Sequence, residues 1–470
     1  HFERHRSPHQ RAALHAGARP PGSAPHLTMG PGAGLLVLPS WLVDDPTQVP
    51  RADWGVRVVD GMVGEVGPNE DLSVNHPDDE VVVAPDSILL PGFVNAHAHL
   101  YGVLAHGIPM GTAPDGFWPF LEDFWWPLVE DRLDHDMVGA AADWVCGEML
   151  GSGTTTFCDI LEAPLCLPGV LPVEKAVVDQ WGLRGVLCFE ATERLGADVG
   201  QRGLDENVSF IESCRDGDLL SPMMSIHTTF TCSNDFIRQA FGLAEEHDVL
   251  LHAHCNEGAH EGQWCEQHHG RRTIEHYDRL GVAGPRLLAS QCVHLSDREL
   301  DLVAERGVRC VHMPLANCEV GGGIARVPEL LDAGVTMGLG SDGYVNDLFE
   351  VMRAAFLLHK GRLQDPRVMS APQVLEMATV GGARALGLDG VGLLQPGWAA
   401  DLQLIDGRFP TPTTVENLLE QVVLHRSGHH VDAVMVAGQW RVRDGEVLGA
   451  DPEGQRARLH EQARRLWGTR

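Results

Sequence analysis

Lysine is nearly missing from this 470-residue chain: Lys175 and Lys360 are the only two among 35 basic residues, and arginine supplies the rest. Basic charge as a whole is scarce. Against 65 acidic residues it leaves a formal net charge of −30, a surface that repels nucleic acid and anionic lipid, so neither is expected as a partner. No uninterrupted apolar run approaches the length that crosses a bilayer. The best candidate, Gly34 to Val43, is short, is broken by Pro39 and reads as a strand. No Cys-x-x-Cys pair occurs, and the 11 cysteines are scattered, several inside apolar runs (Cys188, Cys292, Cys310). That usage argues against a disulfide scaffold and fits a reduced, cytoplasmic protein. The absence of Pro-Cys-x-x-Cys also removes the zinc site of cytidine-type deaminases.

What is present is a regular alternation. From residue 91 onward, eight short β-rich runs are separated by amphipathic stretches. The runs are Gly92–His97, Thr154–Asp159, Gly185–Glu190, Met223–His227, Val249–His254, Leu288–His294, Val308–His312 and Val335–Gly340. Met137–Leu150, Asn234–His247, Asp297–Arg306 and Val345–Leu358 are among the helical stretches. Parallel strands with crossover helices follow from this order, and eight such units predict an α/β fold closed into a (β/α)8 barrel over residues 91–394. The flanks, residues 31–90 and 395–450, hold short strands between Gly, Asp and Pro turns. They contain the similar phrases Val58-Val-Asp-Gly-Met-Val-Gly-Glu-Val66 and Val442-Arg-Asp-Gly-Glu-Val447. Both ends are therefore expected to meet in one small β-sandwich. Residues 451–470 read as a terminal helix. Residues 1–30, rich in His, Arg, Pro and Gly, are expected to be a disordered extension, with Met29 a candidate start.

Five metal-capable side chains fall at the predicted C-terminal ends of strands, the end of a barrel where catalytic groups gather. His97 and His99 are two apart on the first strand and so share a face. His254 ends the fifth strand, His294 the sixth, and Asp342 follows the eighth. His97, His99, His254 and Asp342 form a ligand set suited to one divalent ion, zinc first and Fe²⁺ second, which would activate a water molecule. A bridging carboxylated lysine would be needed for the common two-metal design. Neither Lys175, before strand three, nor Lys360, after strand eight, can reach such a position.

Glu257, three residues past His254, is placed to move protons between water and a leaving nitrogen. His252 shares the face of His254, but its third-following residue is Cys255, so the His254 register is preferred. His294 is expected to hydrogen-bond the attacking water, and Asp342 both to bind the ion and to orient that water, making Glu257, His294 and Asp342 the catalytic set. His227, Trp118, Glu190 and Arg194 are candidate substrate contacts: Trp118 by stacking, Glu190 and Arg194 by reading ring nitrogens or exocyclic oxygens. The run Phe124–Trp126 reads as packing for a helix or a dimer interface. Gly338-Leu-Gly-Ser-Asp-Gly343 also matches a dinucleotide fingerprint, which keeps a NAD-binding oxidoreductase as a remote alternative, but no second βαβ strand follows.

Taken together, Pro91-Gly-Phe-Val-Asn-Ala-His-Ala-His99, Glu148-Met-Leu-Gly-Ser-Gly-Thr-Thr-Thr156, Gly338-Leu-Gly-Ser-Asp-Gly343 and Pro396-Gly-Trp-Ala-Ala-Asp-Leu402 resemble the amidohydrolase superfamily in its cytosine/guanine-deaminase-like branch. Within that branch the chain is similar to the SsnA-type aminohydrolases, through segments such as Gly185-Val-Leu-Cys-Phe-Glu190 and Cys292-Val-His-Leu-Ser-Asp-Arg-Glu299. The resemblance implies a mononuclear site, usually zinc, and a two-ended β-sandwich beside the barrel. The implied reaction is hydrolytic deamination of an amino-substituted nitrogen heterocycle; hydrolysis of a ring amide or a ring carbon–halide bond is the alternative at the same site. A small heterocyclic substrate and a homodimer or higher homo-oligomer are expected. Two departures stand out: relatives often read His-Leu-Ala-Glu where this chain has His254-Cys-Asn-Glu257, and Ser-Asn where it has Ala316-Asn317. Both are expected to face the pocket.

Overall fold

The computed structural model describes residues 34–468; the N-terminal extension lies outside the described residues. The barrel strands are β1 (Phe93–Ala98), β2 (Thr154–Leu161), β3 (Arg184–Ala191), β4 (Met224–Ile226), β5 (Leu251–Cys255), β6 (Leu287–Gln291), β7 (Arg309–His312) and β8 (Met337–Leu339). All pair in parallel, in chain order. Every residue of β2 and β5 is buried, as expected of strands covered on both faces. A short extra strand, Leu220–Pro222, pads β3 beside β4.

Helices follow where the periodicity and caps place them. His135–Gly151 is capped by Asp134, which accepts from Met137 N–H; Asn234–Glu246 is capped by Ser233 and Asp297–Arg306 by Ser296 with Glu299 in a reciprocal box. Leu348–Leu363, capped by Asp347, starts three residues later than the expected Val345.

Closure of the barrel depends on close backbone approach. A Cβ at Gly338 would lie 2.8 Å from that of Ala96, and one at Gly340 would lie 2.8 Å from the Cβ of His97. The glycines of the fingerprint-like segment thus let β8 seat against β1; they do not cradle a dinucleotide. Beyond β8, the backbone N–H groups of Ser341 and Asp342 both donate to the His97 carbonyl at 3.0 Å.

The two chain ends share one nine-stranded mixed sheet. Leu402–Asp406 pairs antiparallel with Glu80–Pro91, which pairs in parallel with Leu35–Leu42. Val58 and Val63 from one side of the sheet share a buried cluster with Ala433 and Met435 from the other. A terminal helix, Pro452–Trp467, packs on His135–Gly151. No helix among the described residues is long and apolar enough to cross a membrane, and none of the cysteines is paired.

Asp401 ties the end sheet to the barrel. Its buried carboxylate accepts from Arg184 Nε of β3 at 2.7 Å and from the Ala437 N–H at 2.7 Å. Asp401→Ala would strand the Arg184 charge and is expected to lower stability by about 3 kcal/mol. Urea unfolding of the full chain checks this, and a loss below about 1 kcal/mol would make the pair no more than a surface contact.

Candidate active site

His97, His99 and Asp342 offer ligand atoms that all lie within 4.8 Å of one another. Asp342 Oδ2 is 3.9 Å from His97 Nε2, and Asp342 Oδ1 is 3.7 Å from His99 Nε2. These separations are too long for hydrogen bonds, yet two donors about 2.1 Å from a common ion sit roughly 3–4 Å apart. Neither ring nitrogen of the fully buried His97 has a hydrogen-bond partner, an orphaning that a bound cation would relieve. Burial, helped by His99 and His254, pushes His97 well below the usual histidine range, so it is neutral, the form that binds metal.

The other candidate ligands are oriented from behind. His99 Nδ1 donates to the Ile160 carbonyl at 2.6 Å, and His254 Nδ1 lies 2.5 Å from Glu190 Oε1, which leaves both Nε2 atoms for an ion. His97, His252 and His254 form a second close triple. However, both nitrogens of His252 are taken, by the hydroxyls of Ser225 and Ser290 at 2.9 Å each. His252 is a buried core histidine. His97, His99 and Asp342, with His254 close to His97, could therefore hold one divalent ion; a third close group, Glu190, His227 and His254, adjoins them through His254.

Strand β6 corrects one expectation. It ends at Gln291, not at His294, because Gln291 and Cys292 take successive left-handed conformations (φ +73° and +49°) that turn the chain out of the barrel. His294 consequently lies off the cluster: its Nε2 is bonded to the Gly322 carbonyl at 2.5 Å, in a groove with Arg272 and Gln263. Gln291 occupies the place expected for His294. Its Nε2 donates to Asp342 Oδ2 at 2.8 Å, and its Oε1 accepts from Asn317 Nδ2. Gly343 N–H donates to the other oxygen of Asp342 at 2.7 Å.

Glu257 faces the same cavity, a space of about 500 Å³ over the cluster. Burial, then the charges of Asp342 and Glu190, push its carboxyl well above the usual range. The turn that presents it is pinned by Glu261, which accepts from Asn256 N–H at 2.5 Å and from the Thr229 hydroxyl at 2.7 Å. Asn256 itself is buried and donates to Glu299, so this departure does not face the cavity; Ala316 does, and Asn317 reaches it only through Gln291.

Of the candidate substrate contacts, His227 and Glu190 line the cavity, whereas Trp118 and Arg194 do not. Trp118 stacks on His260 with ring centroids 4.0 Å apart, and Arg194 is drawn behind the wall by Glu130, Asp131 and Glu162. The aromatic wall is instead Phe117, Phe120, Phe124 and Trp125. Phe124 and Trp125 thus do more than pack a helix.

Two outcomes are expected. Added zinc raises the melting temperature of the metal-stripped chain, whereas His97→Ala shows no such rise; scanning calorimetry with metal analysis checks this. Gln291→Leu binds zinc but surrenders it to a chelator roughly tenfold faster, since partners of metal ligands typically contribute tenfold or more to affinity. An unchanged release rate would mean that Gln291 does not hold Asp342.

Residues 88–441 match the amidohydrolase family. A 5'-deoxyadenosine deaminase of Methanothermobacter thermautotrophicus is 35% identical over 380 residues, covering 78% of this chain and 85% of that protein. A 5-methylthioadenosine/S-adenosylhomocysteine deaminase of Syntrophobacter fumaroxidans is 33% identical, covering 92% and 98%. Among solved structures, an adenosine deaminase from Xanthomonas campestris with bound zinc superposes with a TM-score of 0.86 at 27% identity, covering 94% of this chain and all of that one. With three-quarters of its length inside the matched region and its strand-end histidines gathered on one closed barrel, the chain belongs to the amidohydrolase family.

Proposed function

We propose that this protein is a zinc-dependent aminohydrolase that removes an exocyclic amine, as ammonia, from a nitrogen heterocycle. One observation carries the reading: Glu257 faces a cavity of about 500 Å³ that it shares with a histidine–aspartate cluster fit for one ion. The adenosine-type deaminases among the relatives support it.

Held by His97, His99, His254 and Asp342, a divalent ion would supply the Lewis acidity that makes water nucleophilic near neutral pH. The chain's own residues do the rest. Asp342, clamped at each oxygen by one N–H donor from Gln291 and Gly343, keeps a fixed orientation toward the attacking water. Glu257, as the carboxylate, carries one proton of that water to the ring nitrogen beside the attacked carbon, and Asp342 passes the remaining hydroxyl proton to the amine, so that as the C–N bond breaks water and amine become ring carbonyl and ammonia. The aromatic wall excludes bulk water and lies ready to stack a flat ring.

An ammonia-release screen over purines, pyrimidines, pterins and triazines, with zinc-loaded enzyme, tests the reading. Halide release or ring opening without ammonia would sink it. Glu257→Gln is expected to keep full zinc content while kcat falls roughly 10²–10⁴-fold. Full turnover in that variant would remove Glu257 from the mechanism.

A further inference from the structure

Glu257 is aimed by the backbone that carries it. Among the described residues no side chain hydrogen-bonds its carboxylate, on which only burial and neighbouring charge act. Its place over the cluster is therefore set by the residue before it, Asn256, which is wholly buried and left-handed (φ +51°). Asparagine tolerates that conformation better than most residues with a β-carbon, so the backbone alone accounts for an Asn here. It does not account for what the side chain does.

Asn256 is gripped from three directions. Its N–H donates to Glu261 Oε2 at 2.5 Å, on the helix Ala259–His269. Its carbonyl accepts from the N–H groups of Val293 at 3.1 Å and His294 at 2.9 Å, in the turn after β6. Its side-chain Nδ2 donates to Glu299 Oε1 at 3.0 Å. Glu299 is also fully buried and is fixed in turn: the Ile274 N–H donates to the same oxygen at 3.0 Å, and the Ser296 N–H at 2.9 Å and Arg272 Nε at 2.7 Å donate to the other. Arg272 then reaches forward, its Nη2 donating to the His294 carbonyl at 2.6 Å. The bonds close a ring that runs from the Asn256 amide through Glu299, Arg272 and His294 back to the Asn256 carbonyl. His294, expected to serve the attacking water, instead lends its backbone to this ring. Hydrogen bonds to a buried carboxylate are strong and directional, so the ring is a stiff support.

We infer that Asn256 is a positioning residue: its side-chain amide, tied to Glu299 and Arg272, holds the left-handed turn that presents Glu257 to the cluster. Its effect on turnover rests on the deaminase reading; the clamp itself does not. A displacement of about 1 Å in a reacting group can cost roughly a hundredfold in rate, so a support of this kind bears directly on kcat.

Asn256→Gly in the zinc-loaded full chain tests this, because glycine keeps the left-handed backbone without strain and removes only the amide. Hydrogen–deuterium exchange, read by mass spectrometry, is expected to speed up roughly tenfold in peptides covering residues 255–258 and 292–296, while those covering β2 and β3 stay unchanged. Zinc content and KM are expected to hold while kcat for ammonia release falls roughly 10- to 100-fold. In the Glu257→Gln background the same change costs less than about twofold, since a residue that acts through Glu257 then has nothing to act on. Arg272→Gln, at the partly exposed end of the clamp, speeds exchange in the same two peptides and decides the matter if the glycine variant does not fold. Unchanged exchange in both peptides, an undiminished kcat, or an equal loss of kcat with and without Glu257 overturns the inference. Faster exchange in a protein whose natural form releases no ammonia from any substrate upholds the clamp and defeats the deaminase reading instead.

Discussion

The seam between β1 and β8 is the constraint on which the rest of the site depends. The His97 carbonyl accepts from both Ser341 and Asp342, and Ala98 bridges to Asp342, so the bonds that close the barrel also carry three of the candidate ligands. Gly338 and Gly340 make the approach sterically possible. Asn95 reinforces the seam, accepting from Ser341 N–H at 3.0 Å and donating to its hydroxyl at 2.7 Å. Fold and chemistry share atoms here: His97, His99 and Asp342 stand at ion-binding distance because two strands at opposite ends of the chain order have met.

Around that seam the protein arranges a gradient of charge. Burial pushes His97 and His254 below the usual histidine range, and His227 falls to about 3. The carboxylates farther out are pushed the other way, burial and mutual repulsion raising Glu130. Glu162 is the exception. Burial alone would raise it, but Arg194 holds it at about 2. One buried guanidinium thus anchors a charged residue in a wall that would otherwise favour neutrality.

Much of this was legible in the sequence, for identifiable reasons. Parallel barrel strands are buried on both faces and read as short apolar runs, and His-x-His at a strand end puts two imidazoles on one face by geometry alone. Asp342 was legible because a Gly-rich turn follows its strand. Gln291 was not. An amide at a strand end carries no metal signal, and only the two left-handed residues after it, invisible in composition, take His294 out of the barrel. Glu130 and Glu162 were missed because their roles arise from contacts across more than thirty residues with Arg194, and Arg194 was misplaced for the same reason. Trp118 and its aromatic neighbours show the limit of periodicity. In a segment of short helical turns, which ring faces the cavity is set by what lies on the far side, such as Gly258, whose missing side chain makes room for Phe117.

Glu190 has two duties that cannot be separated. One oxygen grips His254, and the residue itself forms part of the cavity wall. A substitution at Glu190 that reshapes the wall also alters the hydrogen bond that orients His254, a candidate ligand. Ala316 and the aromatic segment line the same cavity without that double role, so the wall can be reshaped there while the hydrogen bond to His254 stays intact.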